Sequence, residues 1–350
     1  MGPSEADLVG INEIAELAKV SRQAVANWRV RFRDFPKPVV DLKAGPVFRA
    51  SQVRAWLRRK KVPMARIVSV INLKGGVAKT TTTVALAETL ASYHGKWILV
   101  IDLDPQTNAT TMLIGEQRWK ELNEKGYTLA TLFNDALNPQ NKAFNLLKTL
   151  QKQVSDVQGA EKIDLLPSSL DLIDVQDRLA SAPMGQFYSV TPTDLLRHAV
   201  KSVVEDYDIV LIDCPPNLGI ITLNGLKISE GYIIPTVPDV LSTYGIPQIV
   251  KRVASFSKEI AEPIKPIGII ITKYQENSTI HVNIAADLRK NPDLPPVLET
   301  KIRQANQIAA AAEFVPGARR TLEQKYGYGD LTERYMQLAK DFLQELEPVI

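Results

Sequence analysis

A glycine-rich loop, "NLKGGVAKTTTT" at residues 72–83, constrains the fold of this chain more than any other feature. It follows the apolar segment "RIVSVI" and precedes a helical pattern that runs to about Tyr93. A strand that passes through such a loop into a helix directs backbone N–H groups at one point, which suits a phosphate. In this arrangement Lys79 neutralises phosphate oxygens and the Thr80 hydroxyl binds Mg²⁺. The loop also carries Lys74, a second lysine that the usual motif does not require.

Apolar segments alternate with helical patterns from Arg66 onward. The segments read "KWILVIDLD", "KIDLLPSS", "YDIVLIDCPP", "GYIIPTVP" and "IKPIGIIITKY". Uninterrupted Val, Ile and Leu strands are typical of a parallel sheet that helices cover on both faces. We therefore predict an α/β fold with a mostly parallel sheet, of the P-loop NTPase kind, for residues 66–350. The stretch from about Gly115 to Ala160 indicates no role.

Acidic residues follow two of these strands. Asp102 and Asp104 end "ILVIDLD", and Asp213 ends "YDIVLID". Open α/β sheets bind ligands at the carboxyl edge of their strands, so we expect these carboxylates near the glycine-rich loop. Asp213 is suited to hold Mg²⁺, usually through water. The alternative interpretation of Asp102 and Asp104 is a strand-end turn capped by carboxylates.

The stretch "KGGVAKTT", followed in order by "DLDPQTNAT" and "IDCPPNLG", resembles the deviant Walker A motif and the two further motifs of the ParA/MinD family of ATPases. In that family the first lysine acts across a dimer interface. The resemblance therefore implies that Lys74 contacts the phosphates bound by the partner subunit. It also implies that Asp104 helps to position the attacking water and that Asp102 lies near Mg²⁺.

The same resemblance implies the remaining site residues and the cofactors, which are ATP or ADP and Mg²⁺. The catalytic residues are Lys74, Lys79 and Asp104, and the metal-binding residues are Thr80, Asp102 and Asp213. The nucleotide-binding residues are Lys74, Gly75, Gly76, Val77, Ala78, Lys79, Thr80, Thr81, Asp213, Pro215 and Thr272. Among these, Pro215 belongs to a switch region that senses the γ-phosphate, and Thr272 falls near the purine pocket.

Two branches of the family fit this sequence poorly. MinD-type proteins end in a basic amphipathic helix that lies on membranes. Here the C-terminal stretch "DLTERYMQLAKDFLQELEPVI" is mainly acidic, and we predict a packed helix. Its core-facing residues are Leu331, Tyr335, Leu338 and Phe342. The nitrogenase-iron-protein branch needs several cysteine ligands, whereas Cys214 is the only cysteine.

The ParA branch, the DNA-partition ATPases, remains. It implies an ATP-sandwich homodimer that binds DNA without sequence preference, and a centromere-binding ParB-like partner protein that triggers hydrolysis and release. We expect a cytoplasmic, nucleoid-associated protein with no membrane contact. No apolar run approaches the roughly 20 residues of a membrane helix, and the acidic N-terminal stretch differs from a secretory signal.

The first 62 residues are strongly basic. They hold 13 Lys and Arg against 6 Asp and Glu, whereas the rest of the chain holds 29 against 33. A basic module joined to a slightly acidic body indicates a polyanionic partner.

The pattern within residues 1–62 predicts two short helices, a hairpin and a third helix. Ser21 is suited to cap the second helix, which runs to about Arg31, and Ser51 to cap the third. "VVDLKAGPVFRA" reads as the two strands of the hairpin. This layout resembles the small MerR/excisionase-like winged helix-turn-helix modules, in which the second helix enters the major groove and the hairpin follows the DNA backbone.

Two groups of residues are candidates for DNA contacts. In the winged module they are Arg22, Gln23, Asn27, Arg29, Arg31, Lys43 and Arg49. In the ATPase domain, basic residues suited to a nonspecific surface are Lys251, Arg252, Arg289, Lys290, Lys301, Arg303, Arg319, Arg320 and Lys325. From the second group, Arg319 and Arg320 are the pair we select.

The predicted function is ATP-dependent DNA partition, with autorepression through operator DNA bound by residues 1–62. Two alternatives remain open at this point. One is a nucleotide-responsive transcriptional repressor, and the other is a ParA-like ATPase that positions a different cargo.

Overall fold

The computed structural model describes most of the chain and divides it into two compact units. The described residues are 8–346, apart from positions 19, 21, 33, 43–44, 60–64, 139, 141, 182–190 and 318. Unit 1 comprises residues 1–66 and 200–208, and unit 2 comprises residues 67–199 and 209–350. The segment 200–208, which the predicted domain division left in the ATPase domain, thus packs with unit 1.

The described residues of unit 1 form three α-helices and a small antiparallel sheet of order β1-β3-β2. Its elements are β1 (Leu8–Val9), α1 (Ile11–Ala18), α2 (Arg22–Arg31), β2 (Val40–Leu42), β3 (Gly45–Arg49) and α3 (Ala50–Arg59). The segment 200–208 adds a short 3₁₀ helix, Val204–Asp206. The order of helices and hairpin is the predicted one, but β1 had no sequence signal. Helix α3 begins at Ala50, so Ser51 lies inside it, whereas Ser21 falls outside the described residues.

Aromatic packing forms the core of unit 1. Trp28 of α2 lies against Trp56 of α3, with ring centroids 5.7 Å apart. Phe35 makes edge-on contacts with both Trp56 and Phe48. Such aromatic pairs contribute about 0.5–1.5 kcal/mol each beyond the area they bury, which suits a module too small for a large aliphatic core.

Unit 2 is built on a seven-stranded parallel sheet of order β10-β9-β8-β4-β7-β5-β6. The strands are β4 (Arg66–Val70), β5 (Ile98–Asp102), β6 (Ile163–Leu166), β7 (Ile209–Asp213), β8 (Gly231–Thr236), β9 (Lys265–Tyr274) and β10 (Val297–Arg303). This confirms the predicted α/β fold with a parallel sheet. Strand β10, at the sheet edge, was missed.

Twelve helices of the described residues accompany this sheet. They are α4 (Lys79–His94), α5 (Asn108–Glu124), α6 (Leu129–Leu137), α7 (Leu146–Thr149), α8 (Leu172–Ser181), α9 (Leu195–Val200), α10 (Ile220–Ile228), α11 (Val240–Glu259), α12 (Thr279–Lys290), α13 (Asn306–Ala310), α14 (Leu322–Tyr326) and α15 (Asp330–Leu346). Helix α15 buries Tyr335, Leu338 and Phe342 in one cluster with α4, so the predicted packed C-terminal helix is observed.

Strand order sets the position of the site. β7 lies between β4 and β5, and Asp213 pairs in register with Asp102 at their carboxyl ends. The glycine-rich loop leaves β4 at the same edge and leads into α4. The loop and the two acidic strand ends therefore meet.

Candidate functional site

The glycine-rich loop closes on itself around the Lys79 side chain. Gly76 and Ala78 have positive φ angles of 76° and 64°, and Ala78 immediately precedes α4. A positive φ is costly for alanine, so this conformation is held by the surrounding contacts. The Asn72 carboxamide oxygen accepts a bond from the Lys74 N–H at 2.9 Å, and Lys79 Nζ donates to the Lys74 carbonyl at 3.2 Å.

Lys79 and Asp213 form the charged floor of the site. Lys79 is only 6% exposed, and burial lowers the pKa of its ammonium although Asp213 and Asp104 oppose that shift. Asp213 is fully buried and accepts bonds from the Thr80 hydroxyl at 2.7 Å and the Thr83 hydroxyl at 3.2 Å. Burial raises the pKa of Asp213 to about 7 despite these bonds. The paired hydroxyl and carboxylate oxygens are ligands of the kind Mg²⁺ prefers.

The two acidic residues of "DLD" have different surroundings. Asp102 is fully buried, and its carboxylate accepts bonds from the Thr110 N–H, the Thr110 hydroxyl and the Asp104 N–H. Burial, reinforced by the neighbouring Asp213, raises its pKa well above the usual value. Asp104 instead lines the cavity beside the loop, with Oδ1 accepting from the Gln106 N–H at 3.0 Å. Asp102 therefore holds the turn that presents Asp104.

Lys74 lies outside the floor of the site and is bound within its own subunit. Its ammonium donates to both carboxylate oxygens of Asp239, at 3.2 and 3.3 Å, and to the Ser242 hydroxyl at 2.9 Å. Asp239 is also the N-cap of α11, where it accepts from the Ser242 N–H at 2.7 Å. The side chains of Lys74 and Asp239 are 39% and 35% exposed, so the pair is accessible to solvent.

A cavity of about 560 Å³ opens above the loop. Its walls are formed by Gly75, Gly76, Ala78, Lys79, Thr80, Thr81, Asp104, Gln106, Asn108, Thr111, Met112, Pro216, Lys273 and Ala312. This volume lies within the roughly 300–1,000 Å³ of small-molecule sites.

Five residues predicted to bind nucleotide do not line this cavity: Lys74 and Asp213, described above, and Val77, Thr272 and Pro215. Val77 is 1% exposed and packs inward. Thr272 is also buried, and its hydroxyl donates to the Val77 carbonyl at 3.0 Å, which supports the loop from below. Pro215 is buried as well, whereas its neighbour Pro216 faces the cavity.

Sequence reasoning missed several residues of the site. Lys273 lines the cavity with a positive φ of 48°, one position after the predicted Thr272. Asp239 and Ser242 meet Lys74 across 165 and 168 positions of sequence. An Asp three residues before a Ser at a helix start is an N-cap signal, but it does not reveal a lysine partner.

The candidate DNA-contacting residues of unit 1 divide into two groups. Arg22, Gln23, Arg29 and Arg49 are exposed, and the Arg29 guanidinium lies 5.6 Å from the centroid of the Phe48 ring. Asn27 is only 8% exposed, and its amide donates to the Asp206 carbonyl at 3.0 Å, so it is not available for a base edge. The Arg31 side chain and Lys43 lie outside the described residues.

The two candidate DNA-contacting arginines of unit 2, Arg319 and Arg320, also differ in exposure. Arg319 is 77% exposed, with Glu161 at 3.7 Å. Arg320 is 19% exposed and forms an ion pair with Asp156, while Lys325 has no exposed side-chain surface. Of these two arginines, only Arg319 is exposed.

With this geometry defined, comparison with known proteins identifies the family. The sequence model of the AAA domain family matches residues 65–266. The chromosome-partitioning ATPase Soj of Thermus thermophilus is 30% identical over 226 residues, which cover 64% of this chain and 76% of that protein. The sporulation initiation inhibitor protein Soj of Bacillus subtilis is 29% identical over 227 residues, which cover 65% of this chain and 80% of that protein.

The crystal structure of a cobyrinic acid a,c-diamide synthase from Mycobacterium smegmatis, with bound ADP and magnesium, is also similar. It superimposes with a TM-score of 0.60 and 26% identity, covering 81% of this chain and 96% of that one. This chain belongs to the family of the Soj and ParA partition ATPases. Separately, no helix within the described ranges is both long and apolar enough to cross a membrane.

Proposed function

We propose that this protein is a Mg²⁺-dependent ATPase of DNA partition, which binds DNA in its ATP state and releases it after hydrolysis. One observation carries the proposal: the Thr80 hydroxyl lies 2.7 Å from Asp213, next to buried Lys79, under a cavity of nucleotide size. The partition ATPases among its relatives supply the biological process, and the relative crystallised with ADP and magnesium supports both cofactors.

Each residue of the floor has a part in this chemistry. Lys79 and the loop N–H groups neutralise and orient the phosphates. Thr80 and Asp213 would hold Mg²⁺, which would neutralise phosphate charge. Asp104, presented by the turn that Asp102 fixes, orients the attacking water. Hydrolysis in such a site depends mainly on positioning and electrostatic stabilisation.

Lys74 adds a requirement for a second subunit. In the proposed homodimer it contacts the phosphates bound by the partner subunit, so it must first leave Asp239 and Ser242. A centromere-binding ParB-like protein would then stimulate hydrolysis in the dimer and release it from DNA. The protein acts in the cytoplasm, on the nucleoid.

The test uses Asp104→Ala and Lys79→Ala with the wild-type protein. Wild type should hydrolyse ATP and bind arbitrary DNA only with ATP and Mg²⁺. Asp104→Ala should bind ATP and remain on DNA, with turnover reduced about 100-fold, the usual range for loss of a positioned catalytic group. Lys79→Ala should bind ATP about 100-fold more weakly, so it should not retain DNA at ATP concentrations that saturate wild type. Normal turnover by Asp104→Ala would contradict the proposal.

A nucleotide-responsive repressor is the second candidate, favoured by the exposed Arg22 and Gln23 on α2 of the proposed winged module. The two functions differ in turnover. A partition ATPase should hydrolyse ATP faster with DNA and its partner protein together, whereas a repressor should show operator binding that responds to nucleotide without that stimulation.

A further inference from the structure

A cluster of buried charges lies in unit 2 away from the phosphate loop. Lys325 of α14 donates to Glu88 of α4 at 2.6 Å and to Asp156 at 2.9 Å. The side chains of Lys325 and Glu88 have no exposed surface, and that of Asp156 is 1% exposed. Arg320 forms an ion pair with the other oxygen of Asp156. Two acidic and two basic groups therefore share one buried site.

The hydrogen bonds within this cluster keep its charges paired. Burial tends to raise the pKa of Asp156, but Lys325 and the bonds from Val315 and Arg320 outweigh it and lower the pKa. The phenol of Tyr326, whose pKa is raised by burial and by Glu88, donates to Glu88 at 2.7 Å. Buried ion pairs often add little stability compared with apolar packing, so a cluster of this size calls for another role.

Asp156 connects the cluster to residues 311–317, which we name the 311–317 segment. Its second carboxylate oxygen accepts a bond from the Val315 N–H at 3.0 Å. The Arg320 N–H donates to the Asp156 carbonyl at 2.8 Å, and the Arg320 guanidinium donates to the Glu313 carbonyl at 2.7 Å. The Asp156 side chain thus holds the segment directly, and the Asp156 backbone holds Arg320, which in turn binds the segment at Glu313.

The same segment forms part of the nucleotide cavity. Ala312 lines the cavity together with Thr111 and Met112 of α5. Phe314 packs so closely on the kink of α5 at Gly115 that a β-carbon there would lie 2.8 Å from its ring. This wall is uncharged, whereas the charged residues of the cavity are Lys79, Asp104 and Lys273. A nucleotide has a charged triphosphate and an uncharged base, so the base and ribose belong against the Ala312 wall.

We propose that Asp156, through its bonds to Val315 and Arg320, positions the 311–317 segment as the wall for the base and ribose. This inference rests on the proposed ATP site. Asp156 acts through the segment and touches no phosphate, so its loss should weaken binding of nucleosides and leave the phosphate loop unchanged.

The experiment compares two variants of the full chain. Asp156→Asn keeps the shape of the side chain but removes the charge that holds Val315 and Arg320. The matched control, Glu88→Gln with Lys325→Met, neutralises the other half of the same cluster and leaves Asp156 paired with Arg320. Thermal unfolding first defines a temperature at which each variant is fully folded. Calorimetric titration at that temperature then measures the affinity for ATP, for ADP and for inorganic tripolyphosphate.

Asp156→Asn should lose about tenfold in affinity for both ATP and ADP, as expected for one lost charge-assisted contact, and bind tripolyphosphate as wild type does. The control should keep wild-type affinity for all three. Equal loss of tripolyphosphate binding, unchanged nucleotide affinity in Asp156→Asn, or an equal loss in the control would each overturn the proposal. Failure of the wild-type protein to bind ATP would instead refute the proposed function itself.

Discussion

The two lysines of the phosphate loop differ in burial, and this predicts different phenotypes. Lys79 is 6% exposed at the floor of the site, so Lys79→Ala should reduce ATP affinity about 100-fold, as loss of a buried charged contact does. Lys74 points away to Asp239, so Lys74→Ala should change ATP affinity less than about threefold yet abolish ATP-dependent dimerisation. Titration calorimetry and sedimentation analysis measure the two effects. Equal loss of nucleotide affinity would argue against a role for Lys74 across the dimer interface.

Asp213 makes stability depend on pH. Its pKa is about 7 in the folded protein against 3.8 for the unfolded group. Between these two pH values the Asp213 carboxyl is therefore protonated in the folded state and ionised in the unfolded state. Its contribution is therefore fully favourable below about pH 4 and is lost as pH rises to 7, at about 1.4 kcal/mol per unit of separation. Urea unfolding without nucleotide should show wild type losing stability relative to Asp213→Asn between about pH 4 and 7, with no further loss at higher pH. Parallel profiles would contradict this.

The different roles of Asp102 and Asp104 in "DLD" show which features of single residues the sequence could predict. The spacing predicted that carboxylates would stand at a strand end near the loop, and both do. Which of them faces the cavity depends on the turn that follows, where Thr110 satisfies Asp102 from eight residues downstream. Sequence does not encode that orientation directly. The turn interpretation of Asp102 describes its contacts best.

At the scale of elements, Asp239 links the start of α11 to Lys74. Asp239→Ser should keep the helix cap, because serine caps helices about as well as aspartate, but remove the charge that attracts Lys74. An exposed pair of this kind contributes at most about 1 kcal/mol, so ATP-dependent dimerisation should occur at up to about fivefold lower protein concentration. Sedimentation with a non-hydrolysable ATP analogue measures it, with Ser242→Ala as a second way to weaken the contact. Weaker dimerisation in Asp239→Ser would show that the contact assists assembly.

The strands that were predicted and the strand that was missed differ in burial. Strands β5 and β7 are buried at every position, which gives the continuous apolar runs seen in the sequence. Strand β10 lies at the sheet edge and reads "VLETKIR", with exposed and half-exposed positions between buried ones. Edge strands carry charged side chains because one flank meets solvent. Strand β10 therefore has no continuous apolar run, which is why the sequence pattern did not predict it.

For the whole molecule, we predict two separable modes of DNA binding. Arg22→Ala with Gln23→Ala should remove operator preference, since each good base contact provides about 1–3 kcal/mol of discrimination, and leave ATP-dependent binding to arbitrary DNA. Arg319→Ala should weaken that second mode and reduce its salt dependence. Exposed Arg118, already paired with Glu121, gives the control Arg118→Ala. Titration on operator and scrambled duplexes, with and without ATP, tests both. Loss of both modes in the α2 double variant while it remains folded would refute this division.

The composition of the two units shows a limit of sequence reasoning for the whole molecule. Charge and pattern marked the basic first 62 residues, but residues 200–208 join unit 1 through contacts such as that between Asn27 and the Asp206 carbonyl. These partners are 179 positions apart, beyond the range of any local pattern. The same contact explains why Asn27, attractive in sequence as a base reader, is occupied.

Cys214, the only cysteine, allows opening of the site to be measured without any substitution. It directly follows Asp213 and is fully buried, and burial raises the pKa of its thiol, so it cannot react with a disulfide reagent until this strand end opens. The labelling rate therefore counts opening events over time. Bound ATP analogue should slow labelling by at least about tenfold if it stabilises the closed form by 1.4 kcal/mol or more. Unchanged labelling would mean that this strand end opens independently of the bound nucleotide.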